Sequence, residues 1–267
     1  MKKILIIINL LLIGITAAYS QDDTYYPGDQ STVTEQSQEA PPPLPDYVQP
    51  TCPGEGYYWT PGYWSWGTQG YYWVPGVWVM PPHPGLLWTP GYWGLFSGFY
   101  GWHPGYWGVR IGYYGGVNYG FGYFGSGFYG GRWEGNIFRY NRAVWHVNSN
   151  FRNVYEEAHH DPYHAGQVRY SFNGKAGVQY HPQAHEHEYI NNRYVPATKQ
   201  QVENKGWAKD NRGQFARPNN GNPTVHSMSK PNGQRYNQQG HAIQRSSAPR
   251  GGGGSHGGGA RSGGGGR

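Results

Sequence analysis

One six-residue phrase, Trp-x-Pro-Gly-x-Trp, occurs four times between residues 59 and 107 and limits what the chain can fold into. The copies read Trp59-Thr-Pro-Gly-Tyr-Trp64, Trp73-Val-Pro-Gly-Val-Trp78, Trp88-Thr-Pro-Gly-Tyr-Trp93 and Trp102-His-Pro-Gly-Tyr-Trp107. Their first tryptophans lie 14, 15 and 14 residues apart, and fixed spacing of this kind marks a structural repeat. Pro61-Gly62, Pro75-Gly76, Pro90-Gly91 and Pro104-Gly105 each carry a turn signal. Proline presets φ, and glycine accepts the positive φ of a type II turn. A second signal separates the phrases: Gly67-Thr-Gln-Gly70, Pro81-Pro-His-Pro-Gly85 and Ser97-Gly98. Turns then recur about every seven residues, leaving about five for each strand, the usual strand length.

The expected fold is therefore mainly β, a meander of short antiparallel hairpins. If each Pro-Gly is a two-residue loop, Trp59 lies across from Trp64 and Tyr57 across from Trp66. Side chains alternate between the faces of a strand, so these four share a face. The same projection puts Trp73 with Trp78, Trp88 with Trp93, and Trp102 with Trp107. Two-residue hairpins favour type I′ or II′ turns, however, and L-Pro-Gly in a type II turn splays the strands. A wider arch is the other reading of each unit.

Composition supports a core here. Eleven of the twelve tryptophans lie between Trp59 and Trp145, and from Gly56 to Gly131 the one charged side chain is Arg110. Such a segment can bury apolar surface without burying charge.

Flanking regions differ sharply. Residues 1–20 begin Met1-Lys-Lys, continue apolar to Ala18, and end Ala18-Tyr-Ser20, which reads as a secretory signal peptide. An apolar run of about 15 residues is short for a membrane span, so none is expected after cleavage. Residues 21–56 form an acidic, proline-rich linker, with seven acidic side chains and no Lys or Arg from Gln21 to Glu55. Its Pro41-Pro-Pro-Leu-Pro45 run favours polyproline II.

The repeats occupy 57–110, and a Gly/aromatic loop with nine glycines between Gly112 and Gly131 fills 111–131. Its rings cover part of the tryptophan face or form a mobile aromatic loop. Residues 132–209 read as mixed short strands, Ile137 to Tyr140 and Ala143 to Val147, followed by two weak helices, Pro182 to Asn192 and Pro196 to Lys209. Thr198 is an alternative cap for the second. Residues 210–267 read as a basic, Gly-rich disordered tail. From Arg132 onward 18 basic residues face 8 acidic ones, a net +10, which suits an anionic surface polymer.

Catalytic, cofactor and metal signatures are not found. The chain has no Gly-x-Ser-x-Gly elbow, and its one cysteine, Cys52, sits in the proline-rich linker without an adjacent base, which makes a bland thiol the expectation. His159, His160, His164, His181, His185 and His187 invite a metal reading. The i, i+2 spacing of the last pair suits a helical chelate badly, and no Cys pair or His-Glu-x-x-His run supports zinc. The Arg-Gly tail is of a type that binds single-stranded nucleic acid, a partner that export removes.

The mixed face of the repeats offers another use. Tyr63, Tyr92 and Tyr106 hold one repeat position, with Thr60, Thr89 and His103 beside them, a constellation that can hold a linear envelope polysaccharide. The opposing expectation is that the rings build the core.

The four phrases, Tyr-rich and following a signal peptide, resemble the WXXGXW (also YXWGXW) repeat proteins of Gram-negative bacteria. The likeness extends through Trp102-His-Pro-Gly-Tyr-Trp-Gly108, Gly112-Tyr-Tyr-Gly-Gly-Val-Asn-Tyr-Gly-Phe-Gly-Tyr123 and Gly130-Gly-Arg-Trp133. It covers about residues 57 to 150, and more loosely Val168 to Gly174. The resemblance implies an exported envelope protein in the periplasm, on the outer membrane or outside the cell. It supplies no activity or catalytic residues. A non-enzymatic structural or interaction protein is the expectation, with glycan binding and histidine-mediated metal binding as alternatives.

Overall fold

The computed structural model describes residues 33–164, 166–183, 186 and 194–230. The expected signal peptide lies outside these residues, as does most of the first expected helix.

A short strand, β1 (Glu35–Ser37), precedes the repeats. The first two phrases give β2 (Tyr58–Thr60), β3 (Tyr63–Gly67), β4 (Gly70–Val74) and β5 (Gly76–Val79). The last two give β6 (Leu87–Thr89), β7 (Tyr92–Phe96), β8 (Phe99–His103) and β9 (Tyr106–Gly108). The class is mainly β with antiparallel hairpins, as expected, but the hairpins are not the expected ones.

Strand β3 pairs with β4, and β2 pairs with β5, so Trp64 faces Trp73 and Trp59 faces Trp78. Trp66 faces Tyr71, not Tyr57. Likewise β7 pairs with β8 and β6 with β9, setting Trp93 against Trp102 and Trp88 against Trp107. Two consecutive phrases thus make one long antiparallel ribbon. Reversal falls at Thr68-Gln69 and at Ser97-Gly98. Ser97 and Gly98 have φ of 46° and 83°, the left-handed pair that a type I′ hairpin requires.

The Pro-Gly dipeptides do not reverse the chain. They interrupt both arms of each ribbon at the same level. Extending the register across the gap puts Pro61 opposite Gly76 and Gly62 opposite Pro75, with Pro90 opposite Gly105 and Gly91 opposite Pro104. Proline cannot donate to the ladder, so each ribbon breaks its hydrogen bonding there and resumes in register.

The two ribbons pack together into one aromatic core. The Trp93 indole N–H donates to the Trp64 carbonyl at 2.8 Å, Tyr63 stacks on Trp102 at 4.8 Å, and Tyr58 meets Trp107 edge-on at 5.2 Å. Of the glycine-rich stretch, Tyr114, Tyr119 and Tyr123 are buried. They cover the tryptophans, one of the two readings offered by the sequence. A bulged pair, β10 (Asn118–Gly120) and β11 (Tyr123–Phe124), organises that segment. It is followed by β12 (Gly131–Glu134), β13 (Ile137–Asn141) and the parallel β14 (Val154–Tyr155). Ala143 to Val147 is not a strand, but Trp145 joins the core as expected.

Farther along, β15 (Phe172–Asn173) runs parallel to β7. Helix α1 (Lys199–Lys209) has a full capping box: Thr198 accepts from the Gln201 backbone N–H while the Gln201 side chain accepts from the Thr198 N–H. The chain then forms β16 (Ser227–Met228), parallel to β5.

Two segments read as unstructured from composition belong to the folded body. Residues 33–52 cross the ribbons, with β1 paired to β8 and Leu44 and Cys52 buried. Residues 210–230 carry buried Gln214, Val225, His226 and Met228. Composition missed both because the side chains that hold them belong to other parts of the chain.

Candidate functional site

All eight repeat tryptophans are buried, none more than 7 % exposed. Each cross-ribbon pair meets at ring centroids of 5.3 to 5.5 Å, tilted or edge-on, the geometry that aromatic quadrupoles favour. The glycine of each phrase serves this packing. A Cβ on Gly76 would lie 2.5 Å from Cζ2 of Trp59, and one on Gly105 the same distance from Cζ2 of Trp88. A Cβ on Gly91 would meet Trp102, and one on Gly62 would meet Trp73. These four glycines are absent from the positive-φ residues. They are required by contact with a ring of the partner phrase, not by a type II turn.

Indole N–H groups do a second job. A buried donor without a partner is costly, and although the Trp59 indole has none, four of the eight repeat indoles find theirs on segments outside the repeats. Trp64 donates to the Pro43 carbonyl at 3.0 Å and Trp78 to that of Pro50 at 2.8 Å. Trp73 donates to the His226 carbonyl at 3.0 Å, and Trp107 to the Gln201 side chain at 2.9 Å. The repeat thus holds the 33–52 arm, helix α1 and the 225–229 segment.

A family model matches residues 54–79, described as WXXGXW repeat, in two copies. This chain carries WXXGXW repeats. The matched pair is the first ribbon, and the spacing of its motif has a physical reading. The first Trp lies over the glycine of the facing phrase, and the second Trp completes the cross-strand pair. The second ribbon repeats the pattern in the same register at residues 87–108. No curated protein and no solved structure matches the chain.

The tyrosines proposed as a sugar platform each pack their ring against a neighbour. Tyr63 lies against Trp102, buried Tyr92 stacks on His103 at 4.6 Å, and Tyr106 contacts Tyr194 at 5.3 Å. Burial raises the hydroxyl pKa of Tyr63 and Tyr106 above the usual value, so both remain neutral donors. Both faces of the WXXGXW ribbon are largely spent on packing.

Cys52 is buried, and its Sγ donates to the Gly54 carbonyl at 3.2 Å. Burial pushes its thiol up to about 12, far from the thiolate that a nucleophile or metal ligand needs. Among the described residues, no group of three His, Cys, Asp or Glu side chains is placed to hold a metal ion. His160 and His164 approach at 6.0 Å, while His185 and His187 lie outside the described residues. No described helix is long and apolar enough to cross a membrane.

Sequence reasoning missed three polar features. Glu35 accepts from the Ser65 hydroxyl and the Trp66 N–H and pairs with Lys205 at 2.6 Å, linking the arm, the first ribbon and α1. Arg169, almost fully buried, reaches the Asn118 carbonyl and Asp46. His226 has neither ring nitrogen partnered and is 1 % exposed; burial pulls its pKa down to about 4. No local pattern flags such residues, because each partner is over a hundred positions away or in another element. Clefts open on the surface among the described residues. One of about 410 Å³ lies between Pro43–Asp46 and Asn220–Asn222. Another, of about 240 Å³, lies between Phe124–Tyr129 and His159–Pro162.

Proposed function

We propose that the protein is a non-enzymatic, exported component of the cell envelope, in which the WXXGXW ribbons form a rigid body for structural and interaction roles. The observation that carries this reading is the burial of all eight repeat tryptophans. The most conspicuous feature of the sequence is spent on building the fold and holding its flanking segments. The Lys/Arg-rich stretch from residue 132 onward supplies attraction to anionic envelope polymers.

Fractionation of cells carrying the full chain, with amino-terminal sequencing of the recovered protein, tests the proposal. Recovery from the periplasm, outer membrane or medium with a new terminus after Ser20 is expected. Recovery from the cytoplasm with Met1 intact would overturn it. A salt-sensitive co-sedimentation with lipopolysaccharide vesicles, lost by about 0.5 M salt through screening, is the expected mark of the polymer contact.

A further inference from the structure

Two half-exposed rings of the glycine-rich segment meet at one surface cleft. In the glycine-rich loop Tyr123 points inward, whereas Phe124 and Tyr129 line the cleft with Ser126, His159, His160 and Pro162. The loop is held from several sides. The Tyr129 N–H donates to the Gly122 carbonyl at 3.0 Å, the Tyr114 hydroxyl to that of Gly127 at 2.9 Å, and the Asn141 amide to that of Tyr129 at 3.0 Å. Gly122, Gly125 and Gly127 have φ of 88°, 106° and 64°, values that suit glycine and fix the loop's path. A preformed site loses less entropy on binding.

The lining has two kinds of surface. Phe124 and Tyr129 lie within 18° of parallel with centroids 5.7 Å apart, and the Tyr129 ring continues onto His159 at 4.1 Å. The three rings form a stepped row, set in a lining that exposes more polar than apolar surface. Beside it are the Ser126 hydroxyl and two imidazoles. His159 Nε2 lies 3.0 Å from a Glu157 oxygen and donates to it, which fixes the orientation of the ring. Arg132 lies 3.9 Å from the other Glu157 oxygen, which offsets the carboxylate charge. Its volume of about 240 Å³ is below the roughly 300–1,000 Å³ of sites for drug-sized molecules. One ring fits.

We propose that this cleft binds a single sugar ring of a neutral glycan. The C–H face of the pyranose stacks on Phe124 and Tyr129, and its hydroxyls meet Ser126, His159 and His160. The assignment sets a place for glycan recognition in the glycine-rich loop beside the one read for the ribbon tyrosines, and it stands whatever compartment the protein occupies.

Native affinity electrophoresis of the full chain through hydroxyethylcellulose, galactomannan and glycol chitin tests it. Retardation by at least one polymer is expected, about tenfold weaker for Tyr129→Ala and clearly weaker for His159→Gln. Tyr170→Ala, which removes an exposed ring elsewhere, leaves retardation unchanged. Thermal melts verify the fold of each variant, and Phe124→Ala replaces Tyr129→Ala if the latter melts early. Mobility unchanged in all three polymers overturns the proposal, and so does equal retardation of wild type and the loop variants.

Discussion

The ribbon at 58–79 and the ribbon at 87–108 set the same four tryptophans in the same register, yet their surroundings differ. Every residue from Gly70 to Val79 is buried, whereas in the equivalent arm of the second ribbon Phe99, Tyr100, Pro104, Gly105 and Tyr106 are half-exposed or exposed. The first ribbon lies against the 33–52 arm, α1 and β16, and its indoles donate to Pro43, Pro50 and His226. The tip of the second is flanked by two short strands, β1 and β15. The phrase sets the backbone plan. The neighbours set the burial, and burial governs how much each side chain contributes.

The largest expected difference comes from truncating matched tryptophans. Trp73→Ala removes a fully buried ring and one of the two donors to the His226 carbonyl, the Gly76 N–H remaining, a loss of about 3–5 kcal/mol. Trp102→Ala, in the equivalent position of the other ribbon, should cost less because its environment can relax toward solvent. Urea unfolding of the two variants decides, and equal losses would break the comparison.

Acid should act through the first ribbon. The pKa of His226 is lowered by burial from 6.5 to about 4, so between these values the unfolded chain binds the proton and the folded chain does not. Stability from this group is full above pH 6.5, falls as the pH drops, and is lost by about pH 4. The total is about 3 kcal/mol. Replacing His226 by Leu should flatten that part of a stability–pH profile, and a slope that survives the substitution belongs to another group.

Smaller effects test what the ribbons share. Gly76→Ala and Gly105→Ala each drive a methyl group against a tryptophan ring, at a cost of about 1–3 kcal/mol. Here the two ribbons should respond alike, since the contact belongs to the phrase itself, and a difference much beyond 1 kcal/mol would show that their backbones are not equivalent. Thr198→Ala removes the cap of α1, about 1 kcal/mol. Because α1 packs on β4 and β5, amide exchange should accelerate in residues 70–79 and remain unchanged in residues 92–103.

Much of the candidate glycan site was readable as composition and little as geometry. The glycine-rich stretch stood out, and burial of its rings against the tryptophans was one stated reading. Phe124 and Tyr129 could not be told from Tyr114, Tyr119 and Tyr123, since inward and outward rings follow no simple alternation among so many positive-φ glycines. His159 was read as part of a possible metal cluster. It also contacts Tyr129 and Glu157 at the aromatic cleft, a juxtaposition that the histidine spacing does not signal.

What the sequence determined by itself is local: the β class, the repeat, the aromatic composition of the core and the Thr198 cap. Each follows from side-chain chemistry within a few residues. The partner of each phrase was decided only by the tertiary structure. Pairing within a phrase and pairing between phrases both set Trp against Trp, so the pattern alone does not separate them. The folded backbone does, because Ser97 and Gly98 adopt the left-handed pair of a tight hairpin, a geometry that L-Pro-Gly opposes. The places of the acidic arm and of the 210–230 segment are likewise tertiary facts, fixed by indole donors that need acceptors once the tryptophans are buried.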